Sequence, residues 1–469
     1  MKKSNLKINI LYSIFYQILI LIVPLVTAPY VSRVLGSSGM GIYGYTYSVS
    51  MYFVLFSMLG VLNYGNREIS QVREHKEQTS KTFWGIYSVQ LFMGITMTVL
   101  YLIYVLLLSK DNQLVAALQV FYILSGVLDI SWFYFGIERF RLTTTVSAIN
   151  KLITTALVFL FVQSREDVYI YTLIIAIGYL SNNIIYWFML RKYILFRPVS
   201  YQESKKHIRP LLVLFMPVIA VSVYKYMSKV MLGLMVDINE VAIFEAAEKF
   251  INLPIGVIAA IGTVMLSRFT NMMAHAEKDD IRYYNYVSML VVMFLSIGMS
   301  FGLGGIGQVF IPFFYGSDFV QSTNVLLVLL PSIMFVSWAN VVRTQYLLPS
   351  KNDKFYCLSV SLGAVVNLII NLLLIPQYGA VGAAVATTIT EFSVCLLQSY
   401  FSRKQMAFGN YLANILPIFC IGILMTVGMQ WLTLNSELHT VFIRIAVGGL
   451  FYLVLSLPIL YKKIKKEVS

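Results

Sequence analysis

Charge is what this sequence has least of. Only 12% of its 469 residues are Asp, Glu, Lys or Arg, about half the share found in an ordinary soluble domain, whereas 58% are hydrophobic and the mean hydropathy is +0.76. A chain so composed has too little polar surface to cover itself in water, which excludes a soluble globular enzyme. Cysteine is also sparse: Cys357, Cys395 and Cys420 are dispersed through apolar stretches, so no disulfide framework is expected. The four histidines, His75, His207, His275 and His439, stand singly in or beside predicted loops, which argues against a metal cluster. Walker, HExxH, GxSxG and CxxC patterns are missing, which leaves out a nucleotide-driven pump and the commoner hydrolase and redox chemistries. No cofactor is expected.

What is present is one long apolar run after another. A helix needs about 20 apolar residues to cross hydrocarbon. Runs of that order are predicted near 8–32, 39–63, 83–108, 114–136, 143–163, 168–190, 208–233, 240–266, 284–306, 322–345, 354–375, 379–402, 411–432 and 438–460. The expectation is an all-α integral membrane protein of about fourteen transmembrane helices, with no room for a soluble domain. The apolar run after MKKSNLK exceeds a signal-peptide core and is read as a retained first helix.

With the N-terminus placed in the cytoplasm and the sides alternated, the basic residues separate. Of the 35 Lys and Arg, only Arg33, Lys110 and Arg165 fall in external connections and five more fall within spans; the remainder crowd the internal side. A miscount by one helix would scramble this separation from the error onward, so the positive-inside rule supports both the count and an orientation with both ends in the cytoplasm. The net charge of +14 therefore reads as basic cytoplasmic loops and not as a nucleic-acid partner. The longest connections, around 64–82, 191–209 and 267–283, are cytoplasmic, and every external one is short.

Six spans precede the most basic loop, and the seventh resembles the first. Residues 20–45 and 213–246 each carry a mid-span proline (Pro24, Pro217), a Leu-Gly step (Leu35-Gly36, Leu232-Gly233), a short polar turn and an apolar restart. Copies six spans apart enter from the same side, a parallel repeat. Three parts are expected: an N-lobe over 1–207, a C-lobe over 208–404, and two C-terminal helices over 405–469. Pro217, Pro254 and Pro331 mark kinks, which serve either rocking lobes or static bends.

Ionisable groups at mid-bilayer cost about 2.5–3.5 kcal/mol each on insertion scales, and they usually face a cavity or a partner. Span seven carries Lys225 and Lys229, one turn apart, and span eight carries Glu245, Glu248 and Lys249. Folded as a hairpin about Asp237, Lys229 comes level with Glu245, and Lys225 with Glu248 and Lys249. Ion pairing alone would account for four of these groups and leave Lys249 over, so a substrate- or ion-handling role is assigned to the set. Asp129 in span four and Lys151 in span five are expected at one depth as a charge pair. Arg33 ends span one, where it either snorkels or faces a cavity, and Glu391 is a single acid in span twelve. Tyr43, Tyr45, Tyr47, Trp132 and Tyr134 are candidates for stacking on sugar rings, although interface belts and packing explain most such residues.

The segments PLVTAPYVSRVLGSSGMGIYGYTYSVSMYF (24–53), LGVLNYGNREIS (59–70), LDISWFYFGIERFRLTTTVSAINKLI (128–153) and LLIPQYGAVGAAVATTITE (373–391) resemble Wzx-type polysaccharide flippases. These form a branch of the multidrug/oligosaccharidyl-lipid/polysaccharide (MOP) exporter superfamily. The resemblance implies two six-helix lobes, two added C-terminal helices, a cationic cavity and alternating access in a bacterial cytoplasmic membrane. It implies as substrate an undecaprenyl-pyrophosphate-linked oligosaccharide, moved to the outer leaflet for capsule- or O-antigen-like assembly. Lys225, Lys229, Lys249 and Arg33 are the candidate cavity cations, and Glu245 and Glu248 dilute their charge. Expected partners are membrane lipid, the lipid-linked oligosaccharide, a coupling ion (H+ or Na+) and polysaccharide-assembly proteins. A lipid II flippase and a drug exporter of the same superfamily are the near alternatives. A membrane glycan polymerase or ligase would need a large external loop that the topology withholds.

Overall fold

The computed structural model describes residues 6–109, 111–274 and 278–468. Lys2, Lys3, Lys110 and His275 lie outside the described residues, as do the side chains of Lys7, Pro217, Lys278 and Lys466. The described chain is a succession of helices: α1 (Leu6–Met58), α2 (Val61–Val72), α3 (Lys76–Leu107), α4 (Gln113–Leu118), α5 (Val120–Val127), α6 (Ser131–Gly136), α7 (Phe140–Phe161) and α8 (Val168–Leu190). They are followed by α9 (Tyr201–Met235), α10 (Ile238–Ala274), α11 (Lys278–Tyr315), α12 (Ser322–Val342), α13 (Asp353–Ser402), α14 (Phe408–Gln430) and α15 (Glu437–Val468). Among the described residues twelve helical segments are long and apolar enough to cross a membrane. With no water in hydrocarbon to satisfy backbone N–H and C=O groups, helix is the only open-ended solution there.

Two of those segments are about 50 residues long, Val23–Val72 and Asp353–Ser402. A straight helix of that length would extend about 75 Å, more than twice the roughly 30 Å hydrocarbon core. Each kinks at a glycine, and the first is broken again at Leu59–Gly60, ahead of α2. Gly36 has φ 68° and ψ −177°, and Gly379 has φ 54° and ψ −131°. Residues with a Cβ are excluded from that conformation at Gly36 by steric clash, so the joint is specified by the residue type itself.

Contacts gather into two compact units, Met1–Val230 and Met231–Ser469. The first has an aromatic core in which Phe83, Trp132, Phe133 and Tyr134 are fully sealed, with the Trp132 ring stacked 5.2 Å from that of Phe83. Leu211 and Phe215 of α9 join the same core. In the second, α11 packs against α12, α14 and α15 around Met289, Ile297, Val342 and Ile418, and Tyr452 donates its hydroxyl to the Phe294 carbonyl at 2.7 Å.

Both units repeat one connection. In the first, Tyr30 of α1 donates to the Val162 carbonyl (2.7 Å) and Gly39 lies against the carbonyl of Arg165, which ties the α1 kink to the α7–α8 junction. In the second, Glu240 at the start of α10 accepts the N–H of Ala380 at 2.5 Å, which ties the α9–α10 junction to the α13 kink.

Two expectations are corrected. Span four is not one helix but three pieces, parted at Gln119 and again at Leu128–Ile130, where the backbone leaves helical geometry. The connections expected around 64–82 and 267–283 are largely helical. α2 buries Val61, Tyr64, Gly65 and Ile69 on one face, against α6 and α3, and this apolar stripe folds what hydropathy alone reads as loop.

Candidate functional site

The break in span four takes the carbonyls of residues 125–129 out of the regular helical ladder in a low-dielectric setting, and four side chains donate to them, Gly126 O also keeping a backbone N–H from Asp129. Gln90 Nε2 donates to Gly126 O and Asp129 O, both at 2.9 Å; Trp132 Nε1 donates to Asp129 O at 3.1 Å. Asn183 Nδ2 reaches Ser125 O at 2.8 Å, and Trp187 Nε1 reaches Leu128 O at 2.9 Å. A break so fully stitched is a built feature, and discontinuous helices in transporters occur where backbone lines a cavity.

Asp129 sits in the break, its Oδ1 accepting the Ser131 N–H at 2.8 Å. It lines a cavity of about 360 Å3 with Ser125, Thr143, Ser147, Asn182 and Asn183. Lys151 lines a neighbouring cavity of about 280 Å3 with Pro24, Asn150 and Thr154. Ser147, Tyr179 and Asn182 belong to both, so the acid and the base open on one polar groove of hydroxyls and amides.

A row of tyrosines leads from that groove. Tyr179 packs on Tyr122 (5.0 Å between centroids) and Tyr122 on Tyr47 (5.1 Å), while the hydroxyls of Tyr43 and Tyr122 are 3.0 Å apart. Tyr47 meets Tyr226 at 6.4 Å, and the Lys225 ammonium lies 5.9 Å over the Tyr226 ring. Lys225 is exposed and Lys229, one turn on, is buried. Arg33 is exposed, with Nη1 donating to the Pro29 carbonyl at 3.3 Å. Of the stacking candidates, Trp132 and Tyr134 are sealed in the core, whereas Tyr45 and Tyr47 remain half-buried.

In the second unit Lys249 Nζ lies 2.9 Å from Glu245 Oε1, a pair one turn apart on α10, with Glu248 half-buried on the same helix. Glu391 is half-buried in α13. The in-span cation whose setting hydropathy does not disclose is Arg444. It is 4% exposed and donates to the carbonyls of Gly305 (2.8 Å), Leu432 (2.9 Å) and Gln430 (3.3 Å). A guanidinium on the last carbonyls of α14 is a helix C-cap that joins α14, α15 and α11. Only its position within a span signalled a buried role.

Ionisable and polar groups lining grooves within helices long and apolar enough to cross a membrane define a multi-pass membrane protein of transporter type. The chain belongs to the polysaccharide biosynthesis protein family, whose model matches residues 6–273, and the model of lipid II flippase MurJ matches residues 151–451. It is thus a Wzx-type flippase of the MOP exporter superfamily. It is 22% identical over 412 residues to an Escherichia coli (strain K12) protein provisionally named an O-antigen transporter, covering 86% of this chain and 98% of that one. Its fold is similar to that of lipid II flippase MurJ in an inward closed conformation, with TM-score 0.75, 19% identity, and 97% and 99% of the two chains covered. It is also similar to an inward-facing multidrug resistance MATE family transporter of the MOP superfamily, with TM-score 0.59, 11% identity, and 82% and 97% covered.

Proposed function

We propose that this protein flips undecaprenyl-pyrophosphate-linked oligosaccharide repeat units from the cytoplasmic to the outer leaflet by alternating access, supplying a capsule- or O-antigen-like polysaccharide. The twelve candidate segments become fourteen crossings when each 50-residue segment crosses twice about its glycine. Both termini then lie in the cytoplasm, and residues 1–207 and 208–404 form the two lobes, with 405–469 appended.

The observation that carries this reading is the chemistry of α9 and its neighbours: Lys225 and Lys229 on an apolar helix, with Lys225 at the end of a tyrosine row that runs to a groove of hydroxyls and amides. Ammonium groups compensate pyrophosphate, and aromatic faces with hydroxyl groups suit sugar rings. Lys249, Glu245, Glu248 and Arg33 complete the proposed substrate-handling set. Moving two net negative charges outward across an inside-negative membrane is favourable by roughly 4.6 kcal/mol per 100 mV, so the potential assists export. The groove of Asp129 and Lys151 is where a coupling H+ or Na+ would act, and polysaccharide-assembly proteins would receive the product.

In cells whose surface glycan depends on this protein, Lys225→Gln and Lys229→Gln are expected to strip that glycan at unchanged protein level. Undiminished export by both variants would reduce the lysines to packing elements. Growth arrest with halted peptidoglycan synthesis on depletion would favour the lipid II reading instead.

A further inference from the structure

A second kind of cavity lies in the first unit, and it is apolar. A groove of about 440 Å3 is walled by Trp84, Leu128, Trp187, Phe188 and Phe196, with Arg191 at its rim. This is within the range of roughly 300–1,000 Å3 typical of small-ligand sites.

One wall is made by the strap between α8 and α9, which is pinned across α3. The Leu195 N–H donates to Ser80 Oγ at 2.9 Å, Trp84 Nε1 donates to the Leu195 carbonyl at 2.9 Å, and Lys81 pairs with Glu203 beyond. Trp187 spends its own N–H on the Leu128 carbonyl. Both indoles therefore have their polar edges engaged inside the protein, and what they turn to the groove is hydrocarbon. The Trp84 ring packs 5.2 Å from Phe196 and 6.1 Å from Trp187, while Phe196 is 82% exposed and Phe188 69%. A flat apolar surface in a membrane needs no particular occupant, but a concave one leaves its lining without contact atoms unless a chain enters it.

The rim identifies the occupant by charge. Arg191, Lys192 and Arg197 are exposed around this strap. Among the described residues none of the three has a carboxylate within 4.0 Å. Basic residues bordering an apolar groove at one end of transmembrane helices are the arrangement that holds anionic lipid headgroups.

We propose that this groove holds an acyl chain of an anionic phospholipid from the adjoining leaflet, with the lipid phosphate on Arg191 and with Lys192 and Arg197 adding to the attraction. The lipid is a resident that fastens the α8–α9 strap to α3, distinct from the cargo. This assignment goes beyond the flipping reading and does not depend on Lys225 or Lys229.

Native mass spectrometry of the purified full-length protein tests it, with phosphatidylglycerol, phosphatidylethanolamine and undecaprenyl phosphate as probes. Phosphatidylglycerol is expected to be retained over phosphatidylethanolamine. Arg191→Gln should lower that preference about fivefold, the value of one cation near a lipid surface. Ile184 also lines the groove, and Ile184→Trp, which fills it, should lower retention of both lipids. Arg191 is exposed, and an unchanged Tm in lipid-free detergent confirms that the variant is folded. Wild-type retention by both variants would overturn the proposal. So would undecaprenyl phosphate displacing phosphatidylglycerol in an Arg191-dependent way, which would make the groove a seat for the cargo's tail. Neither result bears on whether glycan export needs Lys225, so the two readings fail separately.

Discussion

The Tyr64 hydroxyl lies 2.7 Å from Nδ1 of His207, joining α2 to the start of α9, and the imidazole is sealed against Gly85 of α3. Burial, with a smaller push from Lys206, depresses the His207 pKa from 6.5 to about 4, so the fold favours the neutral ring. Above pH 6.5 the ring is neutral folded or unfolded, and the contact contributes fully. As pH falls from about 6.5 towards 4, the unfolded chain takes up a proton that the folded chain refuses, and stability is lost across that window. The loss should amount to about 1–3 kcal/mol. The Tm of purified protein should therefore drop more steeply between pH 6.5 and 4 than that of His207→Gln, and parallel profiles would refute the coupling.

Glycine joints and glycines in open positions should part company. Gly36→Ala forces a Cβ into a conformation reserved for glycine and should cost about 1–3 kcal/mol, read as a lower Tm. Gly428→Ala adds its methyl where nothing lies within 4 Å, in the last turn of α14, and should be neutral or stabilising. A Gly36→Ala protein as stable as wild type would show that the joint does not require the residue.

Gln90 donates to two carbonyls at the break in span four and accepts from Trp132 Nε1 at 3.2 Å. Gln90→Leu keeps the volume and removes those hydrogen bonds, at about 0.5–1.5 kcal/mol each, while Trp132 Nε1 still donates to Asp129 O and the Asp129 N–H to Gly126 O. A lowered Tm is expected, and an unshifted Tm would mean that the remaining partners or water fully replace the amide.

Arg444→Met should act on folding and not on transport. Losing two donated hydrogen bonds at the C-terminal end of α14 and one to Gly305 of α11 should reduce the amount of protein in the membrane, while export per molecule stays near normal. Normal abundance with failed export would place Arg444 on the substrate path.

The pair of Glu245 and Lys249 can be exchanged. Glu245→Lys with Lys249→Glu retains an ion pair one turn apart. If the pair served packing alone, the exchange would restore export lost in each single variant. A handling role predicts that export stays impaired with protein level restored, as measured by surface glycan per molecule.

How much was legible beforehand follows from how local each feature is. The all-helical membrane class and the approximate positions of the apolar segments were readable because apolar length is a property of a single stretch of chain. Each spanning helix also pairs its own backbone groups. The Leu-Gly step at Gly36 was visible for a related reason, since a φ that only glycine tolerates leaves its mark in one residue. The same local logic led to the expectation of Asp129 and Lys151 at one depth. It could not show that they open on one groove, because that groove depends on Tyr179 and Asn182 of α8 packing beside Ser147 of α7.

The sequence by itself determined the solvent this protein lives in, the succession of helices and the sites of unusual charge, because hydropathy and glycine conformation act within a few residues. Tertiary structure decided that span four breaks at Leu128–Ile130, that Arg444 is a cap, and that Trp84 and Trp187 wall a groove. Those outcomes turn on which distant donor reaches which freed carbonyl, and a donor such as Gln90 finds Gly126 only after α3 and α5 have packed together.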